Sequence, residues 1–436
     1  MLFVICFAIL LLSIFLGVRL GGLGVAYAGG IGLFIYTMVL GIPPGNVPVS
    51  VVYIIVSVIG MIAILELSGG LTYLVYLAEK VLKKNPKHVN YLAPLVTFFL
   101  PVLAGTSHTA YSMMPVIVEV AKSQGIRPVR PLTLSVVASI VGIIASPISA
   151  AFVAFMMVLS DGNVGVSALS ILAIMIPSAI MGILITSTIV SMLPQKLETD
   201  VNYQKLLSEG RIVSSKSKET IVPEKGPIAV VIFLITVIAI SVYSLFPDLK
   251  PTYGDGKQID TALLIIILML LGSYVMVLVT KVNILDLASQ STFKAGMVAA
   301  LCVIGVAWLG DTMISYYAND IKRVAGEFLI ANPWAFAVVL LFLSSLLYSQ
   351  AVTTVAVMPI GISLGLPIEV LIGSFAAVCG LFLLPTYPTI IAATQMDYTG
   401  TTRIGKYVFN HSFLLPGILL LSFTCIIAFT LALIVM

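Results

Sequence analysis

Charge is what this sequence has least of. Across 436 residues there are 22 Lys and Arg, 18 Asp and Glu and 3 His, so 9% of the chain is charged while 60% is apolar. A soluble domain carries about 25% charge, and so small a share cannot cover a water-facing surface. The scarcity excludes a soluble enzyme, a nucleic-acid binder and a disordered chain, and it leaves an integral membrane protein. A mean hydropathy of +1.16 agrees. Cysteine is scarcer still. Cys6, Cys302, Cys379 and Cys425 lie far apart in apolar runs, with no C-x-x-C pair and no His at metal-ligand spacing, so they read as small core residues and no metal is expected. There is no H-E-x-x-H, and Gly361-Ile362-Ser363-Leu364-Gly365, although it fits G-x-S-x-G, has no strand–turn–helix or Asp/His partners around it. No enzyme and no cofactor is expected, with Na⁺ or H⁺ coupling left open.

Long apolar runs are abundant instead. A helix needs about 20 such residues to cross a bilayer, and they fill 2–18, 21–40, 50–66, 132–158, 167–193, 228–246, 261–280, 295–310, 370–395 and 412–435. Residues 2–18 lack the cationic n-region and cleavage site of a secretory signal and read as a retained first span. The glycines between Gly21 and Gly32 have no Lys nearby and read as helix packing, not a phosphate loop. Residues 194–226, where 11 of 33 are charged, read as a linker between halves.

Two more apolar stretches, 89–120 and 334–359, are too long for one crossing and are interrupted by polar residues. The cations decide their course. If each stretch enters and leaves on one face and the N-terminus is outside, 18 Lys and Arg fall inside and 4 outside (Lys250, Lys257, Lys322, Arg323). Treating either stretch as a single span scrambles this bias, which sets orientation in membrane proteins. The expected fold is therefore an all-α polytopic membrane protein with ten transmembrane helices plus two re-entrant hairpins, and both termini outside. The halves also repeat: Val58-Ile59-Gly60 recurs as Val303-Ile304-Gly305, Asn85-Pro86 as Asn332-Pro333 and Met114-Pro115 as Met358-Pro359, at offsets of 245, 247 and 244. On this topology the copies run in opposite directions, giving inverted repeats over 1–193 and 227–436, a signature of secondary transporters.

Irregular backbone at membrane depth persists only where protein or a water-filled cavity satisfies it. Four places qualify. Gly105-Thr106-Ser107-His108-Thr109 interrupts the first hairpin between Pro101 and Pro115, and Ser349-Gln350 with Thr353-Thr354 precedes Pro359 in the second. Ser146-Pro147-Ile148-Ser149 breaks the span 132–158, and Pro385-Thr386-Tyr387-Pro388-Thr389 breaks 370–395. A helix that starts at such a break presents free N–H groups and a positive dipole end, which favours an anion, and Ser and Thr hydroxyls add donors. Two facing hairpins would offer two cradles, fitting a small dianion charged at both ends. The expected substrate-binding residues are Thr106, Ser107, His108, Thr109, Ser349, Gln350, Thr353 and Thr354, completed by Ser149, Thr386 and Thr389. Each hydroxyl has a plainer alternative, bonding back to its own helix. His108 either binds a carboxylate or carries a proton, or is a neutral imidazole at the hairpin tip. Glu66, Asp311 and Glu119 lie near span ends, where solvated or capping roles prevail, and His88 and His411 lie at interfaces.

At these residues the chain resembles the anaerobic C4-dicarboxylate transporter family, called Dcu. The matching stretches are GGLTYLVYLAEKVLKKNPKHV (69–89), GTSHTAYSMMPVI (105–117), GIRPVRP (125–131), GIIASPIS (142–149), NPWAFAVVLLFLSS (332–345) and LLPTYPTIIAATQMDYTGTTRIGKYVFNHSFLLPG (383–417). The resemblance implies an inner-membrane carrier of anaerobically growing bacteria that exchanges fumarate, malate or aspartate for succinate, or takes them up. More distantly the chain is similar to the sodium-dicarboxylate carriers of the ion-transporter superfamily, which implies hairpin tips that bind substrate, an elevator-like moving domain and a homodimer. Those carriers have Ser-Asn-Thr tips; here they read Gly105-Thr106-Ser107 and Ser349-Gln350-Ala351, without the Asn, so the resemblance leaves Na⁺ coupling open. An anion channel or carboxylate uniporter using the same helix ends is the alternative.

Overall fold

The computed structural model describes residues 2–436 apart from 21–22, 46, 48, 163, 194–195, 211, 213–222, 246–248, 255–257, 260, 303, 306–307, 348, 386 and 406–408; the side chain of His108 also lies outside the described set. Among the described residues the chain is all-helical, with only isolated bridges such as Ile404 with His411.

The first half begins with α1 (Leu2–Leu20), α2 (Gly24–Phe34, drawn out by a π turn over Ile35–Val39) and α3 (Val49–Leu67). At Ser68-Gly69 the chain bends by 68° into α4 (Gly70–Lys84). Gly69 adopts φ +78°, and a Cβ there would lie 2.4 Å from the Pro223 ring, so glycine is required twice over. α4 is amphipathic: Leu74, Val75, Ala78 and Leu82 are buried at helical spacing while Lys80, Lys83 and Lys84 face outward. Then follow α5 (Val89–Ala104), α6 (Ala110–Ser123), α7 (Val129–Val141, continued as a 3₁₀ turn over Gly142–Ala145), α8 (Ala150–Asp161) and α9 (Ala168–Met192). A short α10 (Val201–Ser208) lies in the polar linker, N-capped by Asp200.

The second half follows the linker. It comprises α11 (Gly226–Leu245), α12 (Thr261–Thr280), α13 (Ser291–Cys302), α14 (Trp308–Ala331), α15 (Ala335–Leu347), α16 (Gln350–Ser363), α17 (Ile368–Phe375, continued as 3₁₀ over Ala376–Phe382), α18 (Pro388–Met396) and α19 (Leu414–Val435). Among the described residues four segments, Val129–Asp161, Ala168–Met192, Leu263–Thr280 and Leu414–Val435, are long and apolar enough to cross a membrane, and the bent α3–α4 pair makes a fifth; several shorter apolar helices accompany them. The run 295–310, expected as one span, is described as α13 up to Cys302 and α14 from Trp308, with residues 303 and 306–307 outside the described set, and α14 is kinked at Tyr317. At Gly305 a Cβ would fall 2.2 Å from the Ala26 carbonyl oxygen, so the chain there is pressed onto α2.

Packing joins the halves reciprocally. α16 lies on α8 and α18 on α6; α12 lies on α3 and α2 on α13; α3 packs against α13, and α9 against α19. Beneath the breaks the same close approach occurs twice. A Cβ on Gly142 would sit 2.5 Å from the Phe98 carbonyl oxygen of α5, and one on Gly380 would sit 2.4 Å from the Leu341 carbonyl oxygen of α15. Hydrogen bonds fix both: Thr97 Oγ1 donates to the Ser135 carbonyl at 3.0 Å, and Gly380 N–H donates to Ser344 Oγ at 3.1 Å.

Candidate substrate site

All four expected breaks are present, and they touch one another. The first follows α5, where Gly105 takes φ +67° against Ile62 and Ile148, and the chain makes a 3₁₀ turn over Ser107–Thr109 before α6. Ile148 belongs to the second break, between the Gly142–Ala145 turn and α8. The fourth, after Phe382, meets the first through a hydrogen bond between the Tyr387 and Ser107 hydroxyls. The third, at Ser349, meets the second through Ala351, which packs with Ile143, Ala150 and Ala151. It is tied further by Gln350, whose Nε2 donates to the Ile140 carbonyl at 2.7 Å and approaches Cys379 Sγ at 3.4 Å.

The helices leaving the breaks differ at their first turns. α8 is N-capped by Ser149, whose Oγ accepts from Phe152 N–H at 3.1 Å and donates to the Ile143 carbonyl at 2.6 Å. α16 is N-capped by Ser349, which accepts from Val352 N–H at 3.3 Å. α6 and α18 have no side-chain cap; α18 instead begins on Pro388, whose missing N–H costs nothing there. α6 runs on directly from the 3₁₀ turn over Ser107–Thr109, and at neither α6 nor α18 does a side chain cap the positive dipole end, the end that favours an anion.

The expected site residues divide accordingly. Ser107 and Thr109 are buried at the first tip, with Thr109 Oγ1 donating to the Thr106 carbonyl at 3.1 Å. Thr106 is half-buried, while the His108 side chain and all of Thr386 lie outside the described residues. Thr353 and Thr354, expected in the third break, lie inside α16, fully buried, their hydroxyls bonded back to the Ser349 and Gln350 carbonyls at 2.7 and 2.8 Å. Thr389 is buried in the first turn of α18, and among the described residues its hydroxyl has no partner; nor, in the second break, has that of buried Ser146. A buried hydroxyl without a partner carries a desolvation cost that a bound ligand can relieve.

Two residues outside the expected set belong here. Tyr387 lies within the Pro385–Thr389 break, and its hydroxyl joins the site through Ser107. His411, expected at an interface, is buried, with Nε2 3.3 Å from the Leu383 carbonyl at the start of the fourth break. Burial holds its imidazole below the usual 6.5 and outweighs the opposing pull of that carbonyl. Beyond the breaks, Asp397 is buried and accepts from Thr402 N–H at 2.7 Å, from Thr401 Oγ1 at 2.8 Å and from Thr399, while Thr401 Oγ1 accepts from Val129 N–H at 3.1 Å. This loop pins the exit of α18 to the start of α7. Among the described residues no group of His, Cys, Asp and Glu is placed to hold a metal.

Comparison with known proteins follows the same residues. A family profile described as anaerobic C4-dicarboxylate membrane transporter matches residues 2–436. The C4-dicarboxylate transporter DcuA of Wolinella succinogenes is 44% identical over 424 residues, 97% of this chain and 98% of that protein. DcuA of Escherichia coli K12 is 44% identical over 412 residues, 94% of each chain. The anaerobic C4-dicarboxylate transporter DcuB of Escherichia coli O6:H1 is 38% identical over 437 residues, 98% of this chain and 97% of that one. A charge-poor, all-helical, multi-pass chain matched end to end in this way is a membrane transporter and not an enzyme, and it belongs to the anaerobic C4-dicarboxylate membrane transporter family.

Proposed function

We propose that the protein exchanges or takes up C4-dicarboxylates, among them fumarate, malate, aspartate and succinate, across the bacterial inner membrane by elevator-like alternating access. The observation that carries the proposal is the meeting of breaks from both halves, through the Ser107–Tyr387 bond on one side and the Gln350–Ile140 bond on the other. In this reading ten spans and two re-entrant hairpins, 89–120 and 334–359, form two inverted repeats joined by a cytoplasmic linker, with both termini periplasmic and the working unit a homodimer. The reciprocal packing of the halves supports the repeat.

The uncapped first turns of α6 and α18 receive the substrate carboxylates. Thr106, Ser107, His108 and Thr109 with Thr386 and Thr389 form the polar side of the site; Ser149, Ser349, Gln350, Thr353 and Thr354 shape the opposite wall, their polar atoms largely spent on the backbone. No Lys or Arg falls in any of the breaks, so charge is met by amides, dipoles and hydroxyls. Counterflow in proteoliposomes tests this. Uptake of labelled succinate should accelerate when unlabelled fumarate is loaded inside. Flux indifferent to the opposite side would indicate a channel, and the absence of dicarboxylate flux would refute transport of this class. Repeating the assay with and without a Na⁺ gradient fixes coupling.

A further inference from the structure

Glu66 and Asp311 lie 245 residues apart, the offset that relates Val58-Ile59-Gly60 to Val303-Ile304-Gly305, so they occupy the same point in the two halves. Glu66, at the end of α3, accepts through Oε2 from Thr292 N–H at 3.0 Å and from the Thr292 hydroxyl, in the first turn of α13. Beside it Ser68 Oγ donates to Thr280 Oγ1 at 3.2 Å, at the end of α12. The other end of the same helix pair is closed in the reverse sense. Asp311 lies against Gly45, just ahead of α3: a Cβ on Gly45 would fall 2.3 Å from Asp311 Oδ2. Around that contact Gly45 N–H donates to Thr312 Oγ1 at 3.0 Å and Trp308 Nε1 donates to the Gly45 carbonyl at 2.8 Å. The exit of α3 is thus bound to the entry of α13, and the segment entering α3 is bound to the residues after α13, which makes the pair antiparallel.

We propose that Glu66 and Asp311 are matched clasps that hold α3 and α13 as a stationary brace, against which the helices carrying the four breaks move. A carboxylate on backbone N–H groups at a helix start is reinforced by charge and by the dipole. Between the clasps the helices are in close apolar contact, since a Cβ on Gly296 would sit 2.1 Å from Ile59. Where the pair meets the breaks the lining changes. Val52, Ile59, Val298, Ala300 and Leu301 face Ala150, Ala154, Val352 and Val355, a boundary of small and apolar side chains along which one surface can slide on the other. The inference rests on the alternating-access reading and assigns its fixed part.

The test uses the full-length protein with its four cysteines replaced, reconstituted in proteoliposomes. Glu66→Cys with Thr292→Cys removes one clasp, and succinate–fumarate exchange should fall about tenfold, the scale of one charged hydrogen bond. Joining the two positions with a short bis-thiosulfonate should return the rate to within about twofold of the parent, because a brace tolerates being locked. A link that forms and leaves exchange stopped overturns the proposal, as does failure to form, which denies the contact. Three uncross-linked variants provide a second readout. Glu66→Gln, Asp311→Asn and Gly45→Ala, the last intruding on Asp311 without altering it, should each lower the maximal rate about tenfold with KM within about twofold. A raised KM at an unchanged rate overturns the proposal. Absence of exchange in the parent would sink the transport reading instead, leaving the contact to be judged by cross-linking and thermal stability.

Discussion

Two pairs of breaks meet across the two halves, and they differ. The α6–α18 pair is polar: neither helix has a side-chain cap, and Ser107 and Tyr387 join across it. The α16–α8 pair is closed: Ser349 and Ser149 fill the helix starts, and Ala351 packs on Ile143, Ala150 and Ala151. Beneath both pairs the supporting approach is nearly a copy, Gly142 on Phe98 and Gly380 on Leu341. One side of the meeting point is thus polar and without side-chain caps, and the other is capped and packed.

The shared frame should be the most sensitive element. Gly142→Ala and Gly380→Ala each drive a methyl into a carbonyl oxygen in a packed interior, and each should cost about 3 kcal/mol, the upper range for overpacking, read as loss of monodisperse protein or of thermal midpoint in detergent. Tolerance at one site and collapse at the other would show that the frames are not equivalent. Next in size is the polar pair: Ser107→Ala should slow succinate–fumarate exchange about tenfold, near 1.4 kcal/mol of transport barrier, with little change in thermal midpoint. Ser149→Ala should do the reverse, losing about 1 kcal/mol of stability as a lost N-cap while KM for succinate holds. Thr353→Val, which removes a hydroxyl bonded only to its own helix, should change exchange by less than about threefold.

The smallest effect concerns His411. Its folded pKa lies below its ordinary 6.5, so its contribution to stability is full above that value and is lost as pH falls through it, when the unfolded chain takes up the proton first. Thermal midpoint should therefore decline below about pH 6.5, and less so in His411→Gln. An equal decline in both would assign the acid sensitivity elsewhere.

Much of this site could be read before any coordinates. Glycine, proline and hydroxyl residues inside apolar runs mark interrupted helices because membrane-depth backbone has few ways to be satisfied, and all four breaks lie where 105–109, 146–149, 349–350 and 385–389 place them. Which hydroxyls remain free could not be read. Thr353 and Thr389 look alike in sequence; one lies four residues past a cap and bonds back, the other stands at an uncapped start with no partner among the described residues. Nor could partners distant in sequence, such as the Ile140 carbonyl for Gln350 or Thr292 for Glu66.

The central claim is that breaks from the two halves meet in one substrate site that must open during transport. Ser107→Cys with Tyr387→Cys, cross-linked in proteoliposomes, tests it most directly. Cross-linking should stop succinate–fumarate exchange, and saturating succinate should slow the cross-linking. Exchange that continues at the unlinked rate once the link has formed would contradict the account.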